Sequence, residues 1–288
     1  MERVHRFYIL GCQRTGTTLL RLILEGHPDV VCYDELKGYA ILQDAVVEDP
    51  SPARLVGFKL PRWTEQLTRP ILQDEGMEGR CHNFYRGEKI LFLQRDVRDT
   101  IASMLKLKAG KSTWCETWVP RVIEAKLARE DTFQNRYSAE LSIIEKCGSR
   151  LVGMAALYWK YKNAAYFEYR DAGLPILAVP YEDLVKNPRP VLQSVCRYLG
   201  IAFHENLLQH DRLPHTELFV NGLTVGNTNP KAPIQAGSVG QWDKFLSPDD
   251  LRIIDRVISA GSTFSFPCTA AGAALQTQDA TAAASAMS

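Results

Sequence analysis

No two of the seven cysteines in this 288-residue chain form a C-x-x-C pair. Cys12, Cys32, Cys81, Cys115, Cys147, Cys196 and Cys268 are scattered and odd in number. Neither a disulfide framework nor a zinc site is suggested, and a reducing, cytoplasmic setting is expected. No apolar run approaches the length of a membrane span, and the start, "MERVHRFYIL", lacks the long apolar core of a signal peptide, so neither an anchor nor secretion is expected. Charge of either sign is not in excess. A net charge of +1 argues against nucleic-acid binding by the whole surface, although basic groups can still gather in one cleft. No internal repeat is found, and no set of His, Cys and carboxylate side chains carries metal-ligand spacing. What is present is 45% hydrophobic content, enough for one large α/β domain or two small ones.

Strand-like and helix-like stretches alternate. "RFYIL" (6–10) reads as a short strand, and "TTLLRLILEG" (17–26) as a helix so apolar that it is buried, ended by Gly26 and Pro28. "LVGFKLP" (55–61) and "KILFLQ" (89–94) read as further buried strands, the second followed by a helix from Asp99 to about Lys108. "MAALYWKYKNAAYFEYRDAG" is helical to Gly173, "LPILAVP" is a strand, and "RPVLQSVCRYLG" is a helix with Pro190 near its start and Gly200 at its end. The repeated βα pattern predicts an α/β fold: a single P-loop-like domain over residues 1–267, its mostly parallel central sheet flanked by helices.

Three regions stand apart from that pattern. Residues 109–150 are charged and helical in spacing, with Trp114, Trp118 and Val122 on one face; they read as a helical cap insertion or as a plain surface helix pair. Residues 218–247 are rich in Gly, Asn and Pro, as in a loop that covers a site, and Trp242 would pin it down. Ser247, Pro248 and the two acids that follow open a closing helix, and the Ala-rich residues 268–288 are expected to be disordered.

The segment "GCQRTGTT" has the glycine, four residues, glycine spacing of a phosphate loop, but Thr17 stands where a nucleotide-hydrolysing loop has lysine. Backbone N–H groups of Gly16, Thr17 and Thr18 at the start of a helix have no intrahelical acceptor, and the helix dipole favours negative charge there. The Thr17 and Thr18 hydroxyls add donors, and Arg14 adds a guanidinium fork. Without the lysine, and with no second acidic strand end to hold Mg²⁺, a triphosphate site is disfavoured; a single phosphate bearing another anionic group fits better. A glycine turn feeding a core helix would look the same. A second segment, "ILFLQRDVRDTIASM", places Arg95 at a strand's C-terminal edge, where open parallel sheets take ligands, and Ser103 in the following helix. Together they can hold a second, separate phosphate. Arg98 and Asp99 read as a local ion pair or helix cap.

At these two motifs the chain resembles the sulfotransferases that use 3′-phosphoadenosine 5′-phosphosulfate (PAPS). Their 5′-phosphosulfate loop looks like "QRTGTTLLR", and their 3′-phosphate motif looks like "QRDVRDTIASM". "RTGTTLLRLILEGHPDVVCYDE" is most similar to the branch containing tyrosylprotein sulfotransferases and many bacterial enzymes. The resemblance implies that Arg14, Thr15, Gly16, Thr17, Thr18, Arg95 and Ser103 contact the cofactor, with Tyr181 of "VPYEDLVKNPRPVLQ" on the adenine side. It implies Glu35 as general base, with Asp34 as rival, on a strand next to the first; His27 reads instead as a structural cap. It implies Lys59 beside the bond being broken, where a cation can neutralise charge on the leaving phosphate. In the late loop, "GNTNPKAP" resembles a cofactor-closing segment in which Asn227, Thr228 and Lys231 are candidate phosphate contacts. Gln241 replaces the lysine that the tyrosylprotein enzymes carry before Trp242, so that contact is lost or moved to Lys231 or Lys244, and Lys106 and Lys108 flank the place of another.

The resemblance thus implies a cytoplasmic, metal-independent enzyme passing a sulfuryl group from PAPS to a hydroxyl or amine and releasing adenosine 3′,5′-bisphosphate. A small-molecule, glycan or lipid acceptor is expected, because the tyrosylprotein enzymes carry an N-terminal membrane anchor that is not seen here. No nucleic-acid or membrane partner is expected, and oligomeric state stays open. The alternatives are an ATP-dependent small-molecule kinase and a non-catalytic nucleotide-binding module. Thr17 counts against the first, and the coexistence of Glu35 and Lys59 against the second.

Overall fold

In the computed structural model the described residues are 5–42, 54–67, 87–215, 219–220, 223–224 and 228–261. Asn227, the ends of the expected domain and the Ala-rich tail lie outside them. The first half runs β1 (His5–Gly11), α1 (Thr17–Glu25), β2 (Val30–Tyr33), α2 (Glu35–Leu42), β3 (Leu55–Lys59), the 3₁₀ turn Pro61–Gln66, β4 (Lys89–Gln94) and α3 (Val97–Lys106). A small hairpin of β5 (Lys108–Ala109) and β6 (Ser112–Thr113) leads to α4 (Trp114–Arg129), α5 (Asp131–Arg136), α6 (Ser138–Lys146) and α7 (Arg150–Asp171). Then come β7 (Ile176–Pro180), α8 (Tyr181–Lys186), α9 (Pro188–Leu199) and, after the late loop, α10 (Pro248–Ser259).

The sheet has five strands in the order β2-β3-β1-β4-β7, and every pairing in it is parallel. Parallel strands need helical crossovers, which cover both faces and leave each strand apolar throughout. Alternation along β1 shows this directly. Phe7 and Ile9 pack with Leu20, Ile23 and Leu24 of α1 and with α9, while Tyr8 and Leu10 face the opposite layer with Phe58, Phe92, Trp63 and Tyr169 of α7. Leu20, Leu22, Ile23 and Leu24 are all fully buried, each contributing about 2 kcal/mol by burial. Chain direction across the sheet reverses between β1 and β4, and the crevice outside the carboxyl ends at such a point is where ligands bind open α/β sheets.

After the β5–β6 hairpin, the segment at 109–150 is mostly helical. Cys115, Val119 and Ile123 of α4, Phe133 and Ile144 pack with α7 and α10 into a separate apolar cluster beside the sheet. Ser247 caps α10 with a reciprocal bond pattern to Asp250, and Gly200 ends α9 in the left-handed conformation. Among the described residues no helix is long and apolar enough to cross a membrane, and no group of three or more His, Cys, Asp or Glu could hold a metal ion.

Candidate active site

The loop after β1 is a tight turn built around two left-handed residues, Arg14 (φ 74°) and Gly16 (φ 97°). At Gly16 a side chain is doubly excluded, since a Cβ there would stand 2.4 Å from the Tyr181 ring. Gly16 is the N-cap of α1, no side chain caps that end, and the first turn holds no acid. The positive end of the helix is left for an outside anion. Thr17 and Thr18 line the cleft that opens here, but Thr15 does not. Its hydroxyl donates to Cys12 O at 2.7 Å and its N–H to the same oxygen at 3.3 Å, so Thr15 shapes the loop from beneath.

Arg95 and Ser103 enter the same cleft, of about 600 Å³, from β4 and α3. Arg95 Nη1 donates to Arg14 O at 2.9 Å, and Arg14 Nε donates to Ser103 Oγ at 3.3 Å. The two motifs are therefore joined into one connected wall. The Arg14 pKa falls to about 10 because burial and the neighbouring Arg95 both disfavour its charge. Arg95 Nε is buried and has no hydrogen-bond partner. Two crowded guanidiniums, one with an unspent donor, suit a multiply charged anion. Trp159 of α7 braces this wall by donating Nε1–H to Arg95 O at 3.1 Å.

Arg98 and Asp99 do not pair with each other. Asp96 caps α3, accepting from Arg98 N at 2.8 Å and from the Arg98 guanidinium at 3.0 and 2.6 Å. The buried Asp99 carboxylate instead accepts from the late loop, from Gly240 N at 2.7 Å and Trp242 N at 3.1 Å, while Arg98 stacks on the Trp242 ring. This is how Trp242 is pinned. The loop is tied again by Arg95 Nη2, which donates to Ser238 O at 2.7 Å, and by a 2.6 Å hydrogen bond between the Tyr181 and Ser238 hydroxyls. Thr228, Asn229, Ser238 and Gln241 reach the cleft; Lys231 is exposed and outside its lining, whereas Lys106 is within it. Lys244 donates to Gln241 Oε1 at 2.6 Å.

Lys59, at the end of β3, is buried, and its Nζ donates to Thr18 Oγ1 at 3.2 Å. Burial pushes its pKa down from the usual lysine value, opposed by the nearby carboxylates of Glu35 and Asp34. Glu35 is not on a strand beside β1. It is the first residue of α2, which follows β2, and β3 lies between β2 and β1. It still faces the phosphate end of the sheet, its Oε1 accepting from Arg62 N at 2.6 Å. Asp34 accepts from Lys37 N at 2.9 Å, which is a capping role. His27 is buried between Ala202 O at 2.8 Å and Asp29 N at 3.1 Å, a structural position as expected.

Ser238 and Trp159 carry no local sequence signal, since each acts on a partner far along the chain, and the distant partners of Asp99 are equally hidden from its own segment. The fold and this wall define a P-loop-like α/β protein with an anion cradle that lacks the loop lysine. The family model described as "Sulfotransferase domain" matches residues 84–265, and another described as "Sulfotransferase family" matches residues 6–75. The chain belongs to the sulfotransferase family, a family of enzymes. It is 23% identical over 274 residues to a Caenorhabditis briggsae protein described as a protein-tyrosine sulfotransferase, covering 87% of this chain and 85% of that one. It is also 23% identical over 212 residues to protein-tyrosine sulfotransferase 1 of Danio rerio, covering 72% of this chain and 56% of the fish protein. Among solved structures, the sulfotransferase domain of the curacin biosynthetic pathway matches with a TM-score of 0.56 at 18% identity, over 89% of this chain and 98% of that one. A mouse sulfotransferase complexed with PAP matches with a TM-score of 0.51 at 16% identity, over 91% and 86%.

Proposed function

We propose that the protein transfers a sulfuryl group from PAPS to an acceptor hydroxyl or amine. The observation that carries this reading is the convergence of Arg14, Arg95, Ser103 and the uncapped start of α1 on one cleft, with Arg95 Nε unpaired. The first-turn N–H groups with the Thr17 and Thr18 hydroxyls would hold the phosphosulfate end. Arg95 and Ser103 would hold the 3′-phosphate, and Tyr181, against Gly16, would border the nucleoside. PAPS supplies the sulfuryl group; the protein supplies orientation, charge and a proton acceptor.

In this reading Lys59 and Arg14 place positive charge where the leaving phosphate becomes more negative, an effect worth most at the transition state. Glu35, held through one oxygen by Arg62 N, keeps its second oxygen to take the acceptor's proton. No step in this account needs a metal. The acceptor is a phenolic or alcoholic hydroxyl or an amine on a small molecule, glycan or lipid; the relatives described as protein-tyrosine sulfotransferases support a protein tyrosine as the second reading.

Calorimetry with adenosine 3′,5′-bisphosphate, ATP and adenosine 5′-phosphosulfate tests the donor. The bisphosphate binds far more tightly than either of the others, and equal affinity for ATP defeats the reading. A mass-spectrometric screen for sulfuryl addition to phenols, sugars, amines and tyrosine peptides, run with PAPS, then separates the acceptor classes.

A further inference from the structure

Under the turn Pro61–Gln66 lies an ionic cluster that neither phosphate motif uses. Glu65 Oε2 accepts from Lys162 Nζ of α7 at 2.5 Å, and Glu65 Oε1 lies 3.0 Å from Lys126 Nζ of α4. All three side chains are buried, Lys162 with 1% of its surface exposed. Burial alone would raise the Glu65 pKa, but the two ammonium groups hold it down at about 2. As a source of stability such a cluster is poor, because desolvation of buried charges offsets most of their attraction and apolar replacements are often neutral. Its geometry says more about its use.

Lys162 Nζ also donates to Arg62 O at 2.6 Å, and the N–H of the same Arg62 donates to Glu35 Oε1 at 2.6 Å. The two groups flank one Cα. A short 3₁₀ segment with a non-helical residue at Trp63 cannot hold that backbone by its own ladder. The far end of the turn is tied to the phosphate loop, where Thr64 Oγ1 accepts from Gly11 N at 3.0 Å and donates to Gly11 O at 2.7 Å. Between these ties, Lys162 Nζ holds the Arg62 carbonyl.

We infer that Lys162 is a positioning residue for Glu35: it sets the Arg62 backbone so that its N–H clamps one carboxylate oxygen and leaves the other toward the acceptor. This rests on the reading of Glu35 as base. Lys126 extends the same cluster to α4, so the helical segment is tied to the base through Glu65.

The test uses the full chain with Lys162→Arg, which keeps the charge beside Glu65, and Lys162→Met, which removes it, each alone and with Glu35→Gln. Turnover is followed as release of adenosine 3′,5′-bisphosphate from PAPS, with 4-nitrophenol as acceptor and with water alone. Both variants are expected to bind the bisphosphate within about 3-fold of the parent and to lose roughly 10-fold or more in kcat, as misplacing a catalytic group by a fraction of an ångström does. In the Glu35→Gln background neither lowers kcat further, and crystal structures of the variants with the bisphosphate show Glu35 released from Arg62 N. Independent, multiplicative losses in that background, or a Glu35 to Arg62 bond that survives in both variants, overturn the inference alone. A Glu35→Gln protein with unchanged turnover overturns the base reading and the inference with it.

Discussion

The Arg95 guanidinium lies over the Tyr181 ring, 4.5 Å from its carbon to the ring centroid, and both side chains end on Ser238. The residue after β4, the residue after β7 and the late loop thus meet at one point. The Arg95 Nη1 and Nη2 groups are held by Arg14 O and Ser238 O, while its buried Nε has no hydrogen-bond partner.

Arg95→Met is therefore expected to lower affinity for adenosine 3′,5′-bisphosphate by at least about 10-fold, the value of a charge-assisted hydrogen bond, with little effect on 5′-AMP. Tyr181→Phe keeps the ring and loses only the bond to Ser238, so its cost is smaller. Calorimetry with the two nucleotides separates the cases, and an equal loss for both nucleotides in Arg95→Met removes the residue from 3′-phosphate recognition.

Glu35→Gln is expected to reduce kcat by roughly 10²- to 10⁴-fold with bisphosphate affinity unchanged. Asp34→Asn affects the cap of α2 and costs on the order of 1 kcal/mol in stability or less, read as a lower Tm, with turnover largely kept. A crippling Asp34→Asn beside a silent Glu35→Gln would exchange their roles.

An alkaline limit is expected from Lys59 in its proposed role. Its ammonium is useful only while protonated, and burial has pushed its pKa below the ordinary lysine value of 10.5. Turnover is expected to fall as pH rises through that lowered value, and Lys59→Arg moves the fall to higher pH, since an arginine stays charged there. Lys59→Ala lowers kcat more than it weakens bisphosphate binding; a raised KM with kcat intact would make Lys59 a plain binding group.

Asp99→Asn tests the anchoring of the late loop. The buried carboxylate holds two loop N–H groups, and the amide offers them one acceptor oxygen in place of two. Bisphosphate release, followed by stopped flow, is expected to speed up by roughly 10-fold or more, the worth of one hydrogen bond to a charged group. An unchanged off-rate would show that the loop does not retain the nucleotide.

His210 makes the fold acid-sensitive. It is fully buried with neither ring nitrogen bonded, and burial, with the facing His215 adding to it against the opposite pull of Asp211, lowers its pKa from 6.5 to about 4. The unfolded chain takes up the proton near 6.5 and the folded chain only near 4, so stability is full above pH 6.5 and declines as pH falls through that window. His210→Leu is expected to flatten the dependence of Tm on pH between those values; an equally steep curve places the titrating group elsewhere.

What the sequence disclosed was local. Apolar runs marked β1, β3, β4 and β7, and Ser247 with Pro248 and Asp250 marked a helix start that forms as read. The glycine loop and the Arg95 to Ser103 spacing each lie within one strand-to-helix turn, so their chemistry showed in a few consecutive residues. The expectation of Glu35 on a strand carried the apolar run "VVCY" past its end, although Asp34 is a helix cap signal at that point. Asp99 reads locally as an ion pair or helix cap because its real partners, Gly240 and Trp242, lie 141 and 143 positions away. Single-sequence patterns report periodicity and caps; they do not report which distant loops meet.

The anchoring of the turn Pro61–Gln66 also sets the order in which the site can come into being. Thr64 reaches back 53 positions to Gly11, Lys162 reaches back 100 to Arg62, and Tyr181 and Arg95 wait for Ser238, 57 and 143 positions ahead of them. Bonds of such separation close late, after the intervening chain has collapsed. A nascent chain that has emerged only as far as α3 already carries the complete glycine loop, yet it lacks Trp159, Lys162, Tyr181 and Ser238. Affinity for the nucleotide is therefore expected to arrive only with the second half of the polypeptide, and nucleotide bound to the finished protein stabilises the native chain as a whole.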